Sequence, residues 1–266
     1  LRWFDRTLKT KQPPPEDEAP IRLFVMGRNQ WRDEWEWPLA RTRYVSFHLH
    51  SRGRANSLCG DGRLSPAVPG DEPPDRYVYD PENPVPTLGG NHSIGPYWPA
   101  VHEMMAPGPF DQRPNETRPD VLVYTTDPLE QDVEVTGPVV VKLHAATSAA
   151  DTDFVARLID VYPDGRAMNL TEGVIRARFR QSIWQPQRPI EPGVAYEYII
   201  DLQVTSNVFF KGHRIRLDVT SSNFPLWDRN PNTGRTPGLD AEMCKAEQTI
   251  FHDASRPSRV ILPVVS

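Results

Sequence analysis

The chain has 266 residues, 38% hydrophobic and 24% charged, the make-up of an ordinary soluble globular protein. A net charge of −5 argues against nucleic acid as a partner, because neutralising phosphates needs a basic face. With 29 prolines and 16 glycines the chain is broken too often for long helices, and no apolar run reaches the roughly 18–20 residues of a membrane span.

In chain order, Leu1–Leu8 reads as an amphipathic helix with apolar residues 1, 4 and 8 on one face. Residues 11–20 are rich in proline and acid and read as a linker. Residues 1–20 are therefore expected to be a helix and linker left from another domain, and residues 21–266 one β-sandwich. Strands are predicted over Ile21–Met26, Tyr44–His50, Arg76–Tyr79, Val121–Thr125, Val139–Ala145 and Asp153–Val161. Four more are predicted over Val174–Arg180, Ala195–Gln203, His213–Thr220 and Arg259–Val265. Several alternate with period two, as half-buried antiparallel strands do. Phe154, Ala156 and Leu158 share a face, and Ile215, Leu217 and Val219 oppose Arg214, Arg216 and Asp218. Arg176, Arg178 and Arg180 read as one polar face of a strand. Turns such as Pro163-Asp164-Gly165 and Glu191-Pro192-Gly193 punctuate the series. Leu239–Glu247 is the one further helical stretch expected, and residues 51–74 and 89–109 read as long irregular loops. Many short strands without strand–helix alternation give an all-β jelly roll rather than a parallel α/β core.

Chemistry is sparse. Gly90-Asn91-His92-Ser93-Ile94-Gly95 is one residue out of register for the G-x-S-x-G elbow of a serine nucleophile, and it sits in a loop. His48 and His50 share a strand face but lack an evident third metal ligand, so they read as solvent-facing. Asp151, Asp153, Asp160 and Asp164 do not have the spacing of a calcium loop, and turn and cap duties explain most of them. Asn115-Glu116-Thr117 and Asn169-Leu170-Thr171 match the glycosylation tripeptide, which is common by chance. Cys59 and Cys244 are too few for a disulfide framework and are compatible with a reducing compartment. No cofactor is called for. Trp31, Trp35 and Trp37 crowd one segment and are expected to bury against a neighbouring domain or in the core. For Tyr97 and Trp98, stacking on a ligand and burial are both open.

Several blocks carry a family resemblance. Val25-Met26-Gly27-Arg28-Asn29-Gln30-Trp31-Arg32-Asp33-Glu34 with Trp37-Pro38-Leu39 resembles the start of the C-terminal domain in the cocaine esterase and X-Pro dipeptidyl-peptidase group. Pro84-Val85-Pro86-Thr87-Leu88-Gly89-Gly90, Gly108–Pro114, Asp151-Thr152-Asp153-Phe154 and Asp160-Val161 with Pro163–Ala167 follow in that family's order. So do Gly212-His213-Arg214-Ile215-Arg216, Ser221-Ser222-Asn223-Phe224-Pro225 and Asp228–Gly234. The resemblance implies the galactose-binding-like jelly roll of a serine hydrolase acting on esters, amides or X-Pro peptides. Its partners would be α/β-hydrolase and cap domains beyond this chain, which alone would be inactive. The family's triad belongs to the hydrolase domain, and no position here matches a triad residue. The loop after Gly90 resembles one that approaches the acyl pocket, so Ile94, Tyr97 and Trp98 are expected to form apolar pocket wall. A carbohydrate-binding module and a structural or oligomerising domain, possible as a homo-oligomer, are the competing readings, along with an autonomous esterase using Ser93. A cytoplasmic location is expected.

Overall fold

A computed structural model describes residues 4–10, 18–92, 106–236 and 238–265. It opens with a short helical segment, Asp5–Thr10, whose Leu8 is exposed, as is Phe4 just before it. Strands β1 (Ile21–Val25) and β2 (Gln30–Glu34) then form an antiparallel hairpin separate from the main sheet. The remaining strands are β3 (Thr42–His50), β4 (Arg63–Ser65), β5 (Asp75–Tyr79), β6 (Leu122–Thr125), β7 (Val133–Thr147) and β8 (Asp153–Val161). They continue with β9 (Ala167–Arg176), β10 (Tyr196–Phe209), β11 (Arg214–Thr220), β12 (Ala246–Asp253), β13 (Arg256–Pro257) and β14 (Arg259–Val265).

These strands fold back into a sandwich. One layer runs β10-β7-β14-β3, with β12 continuing the far end of β7 and β5 bonded to β12. The other runs β9-β8-β11-β6. Short β4 bonds to β3 on one side and β6 on the other, and so turns the corner between layers. The space between them is filled by the alternating inward residues, among them Val141, Leu143, Phe154, Leu158, Tyr198, Ile200, Leu217 and Leu262, all with no exposed surface. Phe154 and Tyr198 stack across the gap with ring centroids 4.8 Å apart. The all-β sandwich expected from the sequence is the fold observed.

Local departures have physical reasons. Strand β8 is buried along its whole length, not on one face, and its Arg157 pairs there with buried Glu172 on β9. Arg178 is not on a strand: it sits in a helical turn, Ala177–Phe179, where its Nε donates to Asp151 at 2.7 Å. The helix expected over Leu239–Glu247 does not form. Leu239 is exposed, the Thr233 hydroxyl and Arg235 bind Asp240, and Cys244 N–H donates to Pro231, which leaves no apolar face to bury. His48 and His50 do not face solvent: burial pushes the His48 imidazole pKa down, and His50 Nδ1 lies 2.8 Å from Glu72. No helix of the described residues is long and apolar enough to cross a membrane.

Candidate functional site

Three of the blocks that carry the family resemblance, Pro84–Gly90, Gly108–Pro114 and Ser221–Pro225, meet in one construction, a platform that joins the chain on either side of residues 93–105. Val85 N–H donates to the Ser222 hydroxyl, Phe224 N–H to Val85 O and Thr87 N–H to Phe224 O, so Pro84–Gly90 is laced onto Ser221–Pro225. Gln112 reaches Leu88 O and Asn115 reaches Pro86 O, which fixes the same segment from its other side. Gly90 and Gly108 then exchange both backbone hydrogen bonds at 2.9 Å and bring the two ends of 93–105 together. Gly89 has φ +68°, and a Cβ there would stand 2.4 Å from Gly108 O, so the turn requires glycine. Ile94, Tyr97, Trp98 and Ser93 lie outside the described residues.

Beside this platform is an open cleft of about 670 Å³. Its apolar side includes Leu23, Phe24, Met26 and Trp37 from the hairpin region with Met168, Leu170 and Val204 from β9 and β10. Asn91, Gly108, Asp160 and Asn207 add polar groups. Asp160 is buried and its Oδ1 lies 2.8 Å from His213 Nδ1; burial raises its pKa against the pull of His213. Tyr162 and Phe210 flank the same imidazole. A largely apolar cleft with few polar groups is the form that small-molecule and docking sites take.

Under the platform, on the outer face of the second layer, runs a row of buried charges. Asp218, Arg157 and Glu172 are direct cross-strand neighbours on β11, β8 and β9. Arg157 Nε donates to Glu172 at 2.8 Å, and the Arg216 guanidinium pairs with buried Glu116. Both Nη atoms of Arg157 and both Asp218 oxygens lack a protein partner among the described residues. Burial, reinforced by the charge of Glu116, pushes the Asp218 carboxyl well above its usual range. The Cβ of any residue at 90 would stand 2.8 Å from Glu172 Oε1, so the row supports the loop base directly.

A second cluster joins Ser51, Asp75, Tyr124 and His252. It contains the residue types of a hydrolytic triad, drawn from positions up to 201 apart in sequence. Ser51 Oγ and Tyr124 OH each donate to Asp75 Oδ2 at 2.7 Å, and His252 Nε2 donates to the same oxygen at 2.9 Å. Burial disfavours the Asp75 carboxylate, but His252, the Ala55 amide, Ser51 and Tyr124 together hold its pKa below the ordinary value. The nitrogen beside Ser51 (3.1 Å) is the one committed to Asp75, so it has no lone pair for the serine proton. The arrangement is a carboxylate hub that ties β3, β5, β6 and β12 together. No local signal in the sequence announces it, since its members stand in four separate strand regions.

The four aspartates weighed for calcium are instead distributed over different partners. Asp151 binds Arg178, Asp153 binds Arg176, Asp160 binds His213 and Asp164 binds Arg166. Asn230 Nδ2 bridges Asp151 and Asp153 at 3.0 and 2.8 Å, which explains why the Asp151–Phe154 and Asp228–Gly234 blocks occur together. No group of three or more metal-ligating side chains forms among the described residues. Asn115 and Asn169 of the two glycosylation tripeptides are buried and hydrogen-bonded, so neither presents its amide to solvent. Cys59 and Cys244 are free and exposed.

Comparison with known proteins agrees with the motif blocks. A family model described as the X-Pro dipeptidyl-peptidase C-terminal non-catalytic domain matches residues 15–261. The cocaine esterase of Rhodococcus sp. (strain MB1 Bresler) is 45% identical over 265 residues, covering 99% of this chain and 45% of that protein. Among solved structures, an aminopeptidase from the marine sediment archaeon Thaumarchaeota archaeon superimposes with TM-score 0.80 at 30% identity, over 100% of this chain and 44% of that one. An alpha-amino acid ester hydrolase gives TM-score 0.81 at 29% identity, over 98% and 43%. The chain thus spans less than half the length of the relatives it matches. With the family matched over nearly the whole sequence, the chain belongs to the X-Pro dipeptidyl-peptidase C-terminal non-catalytic domain family.

Proposed function

We propose that this chain is the accessory β-sandwich of a serine hydrolase of the esterase or X-Pro peptidase type, with no triad of its own. It packs on an α/β-hydrolase domain and helps wall that domain's active-site cleft, and the small ester, amide or peptide substrate is processed there. The observation that supports this reading is that three of the family's blocks, Pro84–Gly90, Gly108–Pro114 and Ser221–Pro225, are bonded to one another on either side of residues 93–105 rather than around a nucleophile. Rigid scaffolding under a loop is how a fold presents variable contacts to a neighbouring site. In this reading Ile94, Tyr97 and Trp98 supply apolar wall, no cofactor is needed, and the exposed thiols Cys59 and Cys244 suit a reducing cytoplasm.

Two measurements test it. The isolated chain should hydrolyse p-nitrophenyl acetate no faster than buffer, and Ser51→Ala and Ser93→Ala should leave that background unchanged. In the protein that joins this chain to its hydrolase domain, Ala at 94, 97 and 98 should shift the kcat/KM ratio of bulky to small acyl esters by about tenfold. An unchanged ratio would remove the pocket-wall role. Turnover by the isolated chain that Ser93→Ala abolishes would instead favour an autonomous esterase.

A further inference from the structure

The tryptophans of the β1–β2 region are not in the core of this chain. Trp31 and Trp35 are each 62% exposed and Trp37 42%, and Phe24, opposite Trp31 in the hairpin ladder, is 38% exposed. The Phe24 and Trp31 rings meet edge to face at 5.3 Å and form one continuous apolar surface. Concentrated, outward-facing tryptophan of this kind marks interaction surfaces rather than ordinary solvated ones.

The surface is also held rigidly. Arg32 donates two hydrogen bonds to Glu134 on β7 at 2.9 and 2.6 Å, and buried Glu34 is gripped by Arg41 and Arg32. Met26 N–H donates to Ser206 O and its carbonyl accepts from Val208, which stitches the end of β1 to β10. Gly27 makes that approach possible: its φ is +82°, and a Cβ there would stand 2.7 Å from Val208 O. A fixed aromatic face loses little conformational entropy on binding, which is the general advantage of preorganisation.

We propose that this hairpin face, continuous with the cleft beside it, is where the hydrolase domain of the same polypeptide docks. The inference rests on the accessory-domain reading above and adds the location of the contact. Three observations favour that occupant. More than half of the relative's length lies outside the match, and the matched family is a C-terminal domain, so in that relative the matched part accompanies a body at least as large. The family match begins at residue 15 and β1 at Ile21, so the hairpin is the first strand pair of the matched domain and the part of it nearest in sequence to whatever leads into that domain. Phe24 and Trp37 also line the cleft whose other side holds Asn91 and Gly108, the two ends of the segment assigned to the active-site wall. One docked body would therefore cover the tryptophans and meet the loop base together.

The test uses the protein in which this chain is joined to its upstream sequence. Hydrogen exchange of residues 21–37 should slow by about tenfold or more relative to the isolated chain. Trp31→Glu with Trp35→Glu, both at exposed positions, should split a single thermal transition into two and expose residues 11–20 to protease. Trp184→Glu, at an 89% exposed tryptophan elsewhere, should do neither. A joined protein that contains a hydrolase domain yet shows equal exchange, or a double variant with one intact transition, would overturn the docking site and leave the accessory-domain reading standing. An upstream sequence without a hydrolase domain would overturn both. Glycan binding by the isolated chain that is lost in Trp31→Glu would replace the domain with a sugar, and a concentration-dependent dimer lost in that variant would replace it with a second copy.

Discussion

Asp75 and Arg157 show how much a single buried side chain can organise here. Asp75→Ala would strand the Tyr124 hydroxyl and the Ala55 amide in the interior and leave Ser51 and His252 only each other there. At about 1–3 kcal/mol for each buried group left without a partner, the variant should lose about 3 kcal/mol or more in urea denaturation. Arg157→Met removes the positive centre of the cross-strand row and leaves the buried Glu172 carboxylate without its partner. Breaking a buried pair from one side costs about 3–5 kcal/mol, so this variant should unfold at clearly lower denaturant. Replacing Arg157, Glu172 and Asp218 together by apolar residues should cost much less, because no buried charge then remains unpaired.

The two layers depend on close approaches between strands as well as on side chains. Gly173 on β9 faces the backbone of β10, where an added Cβ would stand 2.1 Å from Asp201 O. Gly173→Ala should therefore destabilise the sandwich by several kcal/mol, on the scale of overpacked cores, about 1–3 kcal/mol or above, with the shift read from the thermal midpoint. Strand β9 itself carries a weak sequence signal. The expected strand Val174–Arg180 caught only the end of Ala167–Arg176, since Asn169, Thr171 and Glu172 break the apolar alternation. Those polar residues are buried because they serve the platform: Asn169 accepts from Phe110 N–H, and Glu172 anchors Arg157. Strand β12 lacks a clear apolar alternation for a similar reason, as its Gln248 and His252 are buried on partners distant in sequence, Thr152 and Asp75.

Across the whole molecule the shifted carboxyls set opposing pH slopes. Asp75, Glu34 and Glu134 have folded pKa values held below their unfolded ones, so their stabilisation is present above about pH 4 and lost as pH falls through the folded values. Asp218, Glu116, Asp153 and Asp160 are raised by burial, so the folded state binds more protons than the unfolded chain above about pH 4, and stability declines as pH rises toward their folded values. Unfolding free energy measured from pH 3 to 9 should accordingly pass through a maximum in the mildly acidic range. Asp218→Asn should flatten the decline on the alkaline side, and a profile unchanged by that variant would mean that Asp218 is ionised in the folded protein.

The sequence by itself determined the all-β class, the positions of Asp153–Val161 and Arg259–Val265, and the family blocks. Each of these is a local pattern: alternation of apolar residues, turn residues at fixed offsets, short motifs. What only the tertiary structure decided is the purpose of the polar residues within those patterns. Asp151 and Asp153 meet Asn230, Ser51 meets Asp75 and His252, and Val85 meets Ser222 through contacts between residues 24 to 201 apart in sequence. Burial of a charge depends on what lies across the sheet or over its outer face, and no window of sequence contains that neighbour. The same limit applied to the tryptophans of the first hairpin: their crowding was visible in the sequence, but that they face away from this core could be seen only once the strands were paired.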